Sequence, residues 1–305
     1  MTGLPDIPPL RPLPRKTRPY PDETTLSFIH RIEMANHTGY GALRQLRNRT
    51  NRSWPETLAI LSGNTIRTLV LAMPQLSAGT LLPESADRPA YRATRIACSR
   101  CTLSRGAGNH VVVHTTHERV LCPRHRLWTG DGNTGAGMQV PLDTCPGILA
   151  AHRRHRNLIA KFGRPAVLEA FEASSLINWR WYEQFGHFAS FDQRYTALAS
   201  RGNSPQQARQ SAVAAALYPA IVELTSALAS PHWQALALSR NPTPFLERIS
   251  QQITDGWMPQ GCGDPLRHWI TEERTARRLA AHDTAAASHD PETARTQDSP
   301  VLGQL

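Results

Sequence analysis

Lysine is almost missing from this sequence. Lys16 and Lys161 are its lysines, so arginine supplies nearly all of the 34 basic residues behind a formal net charge of +10 and a pI near 10. Arginine forks onto phosphates and guanine edges, so the bias suits nucleic acid. A GC-rich coding sequence also yields an Arg- and Ala-rich, Lys-poor chain, and a second scarcity separates the two explanations. Between residues 88 and 164 the carboxylates are Glu118, Asp131 and Asp143, against Arg88, Arg92, Arg95, Arg100, Arg105, Arg119, Arg124, Arg126, Arg153, Arg154, Arg156, Lys161 and Arg164. Coding bias does not concentrate charge in one region, whereas a phosphate-facing surface does.

Other absences exclude other classes. No stretch approaches the ~18 consecutive apolar residues of a membrane span, and the Pro- and Arg-rich N-terminus lacks the apolar segment of a secretory signal. A cytoplasmic protein is expected. Five cysteines in 305 residues are an odd number and too few for a disulfide framework, and reduced thiols that hold metal fit the cytosol better. Two-metal phosphoryl transfer needs clustered carboxylates, but Asp143 stands alone, and Glu169 with Glu172 has the spacing of a solvated helix face. No Gly-rich phosphate loop precedes either lysine. These gaps speak against an enzyme.

The centre of the sequence is the stretch 98–125. Cys98-Ser99-Arg100-Cys101 is followed, after twenty residues, by Cys122-Pro123-Arg124-His125. Two short Cys/His pairs joined by such a loop are the sequence form of a tetrahedral zinc site. Four protein ligands fill the coordination sphere and leave no place for a reacting water, so one structural zinc on Cys98, Cys101, Cys122 and His125 is expected. His110, His114 and His117 lie on a β-branched stretch that predicts a strand of a small ribbon, as exposed or hydrogen-bonded residues. Trp128 is expected to pack over the metal, with 130–137 a flexible loop. Cys145 with His152 and His155 could make a partial second site, but a plain thiol and surface histidines are the simpler reading.

On either side the pattern is helical. Residues 1–20, rich in Pro and Arg, predict a disordered or extended tail, free in solvent or laid along a partner. Asp22 is placed to cap a helix carrying Leu26, Phe28, Ile29 and Ile32. A short helix follows at Leu43 and Leu46. Ser53-Trp54-Pro55-Glu56 is a capping box with Pro inside the first turn. Leu58, Ala59 and Leu61, a turn at Gly63, and Ile66, Leu69, Val70 and Met73 then make a helix-turn-helix pattern over 21–87, with Thr65, Arg67 and Thr68 facing outward toward DNA. A Pro- and Ser-containing linker over 74–92 leads into a zinc module spanning 88–145. A helical domain covers 146–281, its starts marked by Ser204-Pro205, Ser230-Pro231, Thr243-Pro244 and Asp264-Pro265. Trp179, Trp181, Tyr182, Phe185, Phe188 and Phe191 supply an aromatic core, and 282–305 predicts a disordered tail. The expected fold is mainly α, with a helix-turn-helix domain, a zinc ribbon or knuckle module with a short β-ribbon, and a helical domain.

The order of these parts resembles the TniQ family of transposition target-selection proteins. The likeness is carried by Asp22 to Arg31 (Asp-Glu-Thr-Thr-Leu-Ser-Phe-Ile-His-Arg), Leu58 to Gly63 (Leu-Ala-Ile-Leu-Ser-Gly) and the two Cys/His pairs, and covers about the first half of the chain. It implies a protein without catalytic activity that binds DNA or a target-marking complex and links it to an AAA ATPase and a transposase. Family members include homodimers and partners of RNA-guided complexes. The zinc ligands carry over to Cys98, Cys101, Cys122 and His125. A second Cys-Pro-x-Cys knuckle found in many relatives is broken here, because Ile148 follows Cys145-Pro146-Gly147.

The sequence therefore predicts a zinc-stabilised DNA-binding adaptor in DNA transposition, with Thr65, Arg67, Thr68, Arg100, Arg105, Arg124 and Arg126 as candidate DNA contacts. The alternative is a zinc-containing transcription regulator or protein-interaction adaptor unrelated to active transposition.

Overall fold

The computed structural model describes residues 10–50, 52–78, 93–108, 110–133, 135, 138–185, 188–200, 205–261 and 263–287. The chain is mainly helical, with two small antiparallel ribbons in its middle.

The N-terminal part packs α1 (Thr25–Ala35), α2 (Ala42–Thr50), α3 (Trp54–Ser62) and α4 (Ile66–Ala72) around Phe28, Ile32, Leu58, Leu61, Leu69 and Met73. The capping box is formed: Ser53 accepts from the Glu56 N–H while the Glu56 carboxylate accepts from the Ser53 N–H. Gly63 closes α3 in the left-handed region at φ 68°, which frees the chain to turn into α4. The buried Glu33 carboxylate accepts from the N–H groups of Gly41 and Leu43, satisfying the open end of α2.

Two expectations for this part are corrected. The cap of α1 is Thr24, whose hydroxyl accepts from Ser27 N–H; Asp22 instead has φ 58° and turns the chain into the helix. Residues 10–20 are not a free tail. Leu10 and Leu13 pack on the N-terminal core, the Leu13 N–H donates to Leu61 O at 2.9 Å, and Asn64 donates to Thr17 O at 2.8 Å. An extended Pro-rich strand exposes carbonyls that cannot bond within it, and here neighbouring side chains and backbone take them up. Residues 1–9 and most of the linker 74–92 lie outside the described residues; a single 3-10 turn, Pro74–Ala78, follows α4.

The middle holds β1 (Ala93–Ile96) antiparallel to β2 (Val112–Thr115), α5 (Ser99–Ser104), and β3 (Leu121–Cys122) antiparallel to β4 (Leu127–Trp128). The predicted strand at 110–116 is β2, but its partner precedes the first Cys pair. The free edge of β2 is covered by the segment before α1. Thr24 N–H donates to Val112 O and His114 N–H to Asp22 O, each at 2.8 Å, and Ser27 Oγ accepts from Val112 N–H. Glu23 sits buried at this joint, its carboxylate accepting from Arg31 at 2.6 Å, Ser27 Oγ and Tyr20 N–H.

The C-terminal part comprises α6 (Pro146–Phe162), α7 (Arg164–Phe185), α8 (Ala189–Ala199), α9 (Pro205–Leu228), α10 (Pro231–Leu238), α11 (Thr243–Gln252) and α12 (Pro265–Ala287). Helix α9 is the axis, with α6, α7 and α8 against it. Its Ala212–Leu217 run is buried, the small side chains letting neighbouring backbones come close. By length and composition Arg209–Leu228 could cross a membrane, but 78% of that window is buried inside the bundle. The core continues into the middle part through Val120, Leu121, Trp128, Val140 and Leu142, so it crosses the boundary expected at 145/146. The Trp128 ring points into this core, 5.4 Å from the Tyr218 ring, where packing over the metal was expected. Of the expected cap-and-proline starts, Asp264 caps α12 by accepting from Leu266 and Arg267 N–H, and its other oxygen accepts from buried Trp181. Ser230 makes no side-chain cap bond, α11 begins at Thr243 itself, and Ser204 lies outside the described residues. Helix α12 runs to Ala287, past the boundary expected at 281/282.

Glu23→Ala would leave Arg31, Ser27 and the Tyr20 N–H without their buried acceptor. Loss of about 3 kcal/mol of unfolding free energy is expected, because one partner of a buried charge pair is stranded. Urea denaturation measures it, and a loss under ~1 kcal/mol would place the joint among ordinary surface pairs.

Candidate metal centre

Local geometry brings the two Cys/His pairs together. Cys98 ends β1's extension as the N-cap residue of α5, and Cys101 lies in that helix's first turn, where the N–H groups point outward. The second pair sits in the β3–β4 hairpin, whose turn is closed by Arg126 N–H to Cys122 O at 2.8 Å with Arg126 at φ 49°. The Arg124 and His125 N–H groups donate to Cys122 Sγ, and the Cys101 N–H donates to Cys98 Sγ. Each knuckle thus aims backbone dipoles at a sulfur that would carry negative charge. Gln139 clamps the first knuckle from across the module, accepting from Ser99 N–H at 2.9 Å and donating to Ala97 O at 2.8 Å.

The four ligand atoms all lie within 4.8 Å of one another. His125 Nδ1 is 3.4 Å from Cys98 Sγ, 3.2 Å from Cys101 Sγ and 3.7 Å from Cys122 Sγ; Cys101 and Cys122 Sγ are 3.7 Å apart. A tetrahedral zinc with ~2.3 Å sulfur and ~2.0 Å nitrogen bonds requires edges of about 3.8 Å between sulfurs and about 3.5 Å from sulfur to nitrogen. The cluster fits a metal ion of that size, and its soft donor set is compatible with one zinc. Interaction between the Cys98 and Cys122 sulfurs lowers the Cys122 thiol below its ordinary range and raises that of Cys98. A bound dication removes this competition by taking all the sulfurs as thiolates.

His110 is exposed and His114 half-buried, and neither joins the cluster. His117 has a different place. It is buried against His155 of α6, ring centroids 4.9 Å apart, with Phe171 and Tyr218 around them. His155 Nδ1 bonds Tyr218 Oη at 3.0 Å. Beside them the buried Glu118 carboxylate takes a two-oxygen fork from Arg164 at 2.7 Å. Burial pushes Glu118 up, but the Arg164 hydrogen bonds overcome it and hold the carboxyl at about 2. Burial lowers His117 to about 4 and, with His117 adding to it, His155 to about 3. His152 and His155 are therefore buried, not surface, residues, and Cys145, within reach of Arg194 O, lies outside any second metal cluster among the described residues. This cluster escaped the sequence reading, although Glu118 was a lone acid in a basic stretch; Gln139 left no signal at all.

The candidate DNA contacts divide between two places. Thr65, Arg67 and Thr68 are exposed on α4, yet Thr65 and Thr68 are occupied with each other: Thr65 Oγ1 accepts from Thr68 N–H and lies 2.8 Å from Thr68 Oγ1. Arg100, Arg105, Arg124 and Arg126 are all exposed on the two knuckle segments. Arg105 stacks over Tyr20 at 5.1 Å, and Arg126 has Asp143 at 3.5 Å. Two other arginines of the basic region are spent internally. Arg164 holds Glu118, and Arg95, its side chain 8% exposed, donates to Arg119 O at 3.0 Å with Asp131 3.7 Å away. Comparison of the chain with protein-family models, curated proteins and solved structures finds no match.

The buried imidazoles make acid stability a test. Their folded pKa values lie below the ordinary 6.5, so the neutral-histidine contribution is complete above that pH and is lost as pH falls toward 4 and 3. Glu118 adds a loss between about 4.5 and about 2. Each histidine takes up about one proton on unfolding below pH ~6. Thermal unfolding of zinc-saturated protein at pH 7.0 and 5.5 should show a clear drop that shrinks in a His117→Asn/His155→Gln variant. An equal drop in both proteins would refute the assignment.

Proposed function

We propose that the chain is a TniQ-like, zinc-stabilised DNA-binding adaptor that helps select a transposition target and recruits an ATPase and transposase. The carrying observation is the closed Cys98, Cys101, Cys122 and His125 cluster flanked by exposed Arg100, Arg105, Arg124 and Arg126. Zinc is the metal that three thiolates and one imidazole select, and its role is to fix the knuckles, since no ligand position is left for chemistry. The knuckle arginines supply phosphate contact, which is sequence-independent and falls with salt. The α3–Gly63–α4 unit is the helix-turn-helix of this reading, and Arg67 is its free basic side chain.

A second reading, a zinc-containing regulator or protein-interaction adaptor outside transposition, draws support from the same helix. Ile66 and Leu71 of α4 are 45% and 74% exposed, and Met34 of α1 63%. Exposed apolar side chains, with Thr65 and Thr68 bonded to each other, favour a protein partner for these helices more than a groove of DNA.

Metal analysis of the purified chain should give one zinc, lost in Cys98→Ser. Duplex binding followed against salt should lose affinity steeply, and Arg100/Arg124/Arg126→Ser should reduce the slope of log K against log salt by about 2 to 3, at ~0.9 per phosphate contact. Zinc retained by Cys98→Ser, or no duplex binding at low salt, would end this reading. Co-purification with a neighbouring ATPase and transposase separates the transposition role from the regulator.

A further inference from the structure

A second basic surface lies in the C-terminal part, away from any residue assigned above. Between the end of α10 and the latter half of α12 is an open cleft of about 530 Å³, lined by Arg240, Arg274, Arg277 and Arg278 with Leu238 and Ala281. On α12, positions 274, 277, 278 and 281 share one helical face. Arg240 enters from the turn after α10.

Two of these arginines, Arg274 and Arg277, are held in place without being neutralised. Arg274 donates to Ala237 O at 3.2 Å and to Ser239 O, satisfying carbonyls at the open end of α10. Arg277 donates to Gln234 Oε1 at 2.9 Å. Arg240 and Arg278 are exposed, and among the described residues no carboxylate pairs with any of the four. On the same helix Glu272 is turned to His268 at 3.0 Å, and Glu273, four positions before Arg277, makes no ion pair with any of the four arginines. Four guanidinium groups gathered in one cleft repel one another, and an anion with several oxygens relieves that repulsion.

We propose that this cleft binds the phosphodiester backbone of DNA, as a second contact beyond the metal module; the inference rests on the DNA-binding reading above. Backbone phosphates need only charge and N–H forks, without side-chain pockets. An acidic peptide would need pockets or a strand edge to set its register, and here Leu238 and Ala281 are the apolar lining.

The test is fluorescence anisotropy of a mixed-sequence duplex over a salt series, using the full chain, the knuckle variant Arg100/Arg124/Arg126→Ser, and the cleft variant Arg240/Arg277/Arg278→Ser. Arg274 is left alone because it holds α10. The cleft variant should lower the salt slope by about 2 to 3 with zinc content and circular dichroism unchanged. Wild-type binding with an unaltered slope in the cleft variant, while the knuckle variant is weakened, overturns the cleft and leaves the DNA-binding reading standing. Absence of duplex binding by all proteins overturns both. A polyglutamate peptide that binds the wild type and not the cleft variant, where duplex binding is equal in the two, reassigns the cleft to an acidic protein partner and also overturns the proposal.

Discussion

Three sulfurs and one imidazole nitrogen lie within 4.8 Å of one another in the middle of this chain, close enough to share a metal ion. Its strands span four and two residues, too short to persist as isolated ribbons in water. A metal ion held in the cluster would join the helical knuckle at Cys98 to the hairpin knuckle at Cys122, and each knuckle leads to a different neighbour. From the first, β1 and β2 run to the main-chain pairing with residues 22–24. From the second, β3 and β4 run into the core shared with α6, α7 and α9. The binding free energy of such a site is folding free energy for whatever it closes, and a metal bound here would close the link between the two helical parts.

The two joints are built differently. On the N-terminal side the contact is largely backbone, with Thr24, Asp22 and Ser27 completing the edge of β2 around the buried Glu23–Arg31 pair. On the C-terminal side it is side chain packing. Trp128 stands on Tyr218, His117 on His155, and Glu118 grips Arg164. The loop beyond Trp128 follows the same surface: a side chain at Gly132 would lie 2.6 Å from the Gln210 backbone, and Ser211 Oγ donates to Gly132 O at 2.9 Å. The glycine-rich run is thus a close-fitting contact where it is described, with backbone approach as the reason for the glycine.

What the sequence disclosed was local, and what it hid was long-range. Ligand spacing, the Ser53–Glu56 box and Gly63 are decided by residues within a turn of each other, so each could be read without the fold. Thr24 displaced Asp22 as a cap because Asp22 is committed to β2, through its carbonyl's bond to His114. The Pro-rich segment found its carbonyl partners on α1 and beyond α3. His152 and His155 have the spacing of an ordinary helix surface; His155 is buried by Phe171 of α7, Tyr218 of α9 and His117 from between β2 and β3, all distant in sequence. Glu118 and Arg164 are 46 positions apart, and nothing in either neighbourhood names the other.

That last pair alters what the composition means. Three of the chain's 24 carboxylates are withdrawn into joints: Glu23 onto Arg31, Glu33 onto the N–H groups of α2, Glu118 onto Arg164. Their charge is compensated internally and contributes little to the outer field. Of the arginines at the knuckles and in the α10–α12 cleft, Arg126 has the exposed Asp143 as its acid, Arg105 lies over Tyr20, Arg274 and Arg277 donate to uncharged oxygens of α10 and its end, and Arg100, Arg124, Arg240 and Arg278 are exposed. A coding bias toward arginine would scatter such residues without regard to where acids are buried. Here Glu23, Glu33 and Glu118 are buried at joints while exposed guanidinium groups stand on the knuckles and on one face of α12, the arrangement on which the proposed phosphate contact draws.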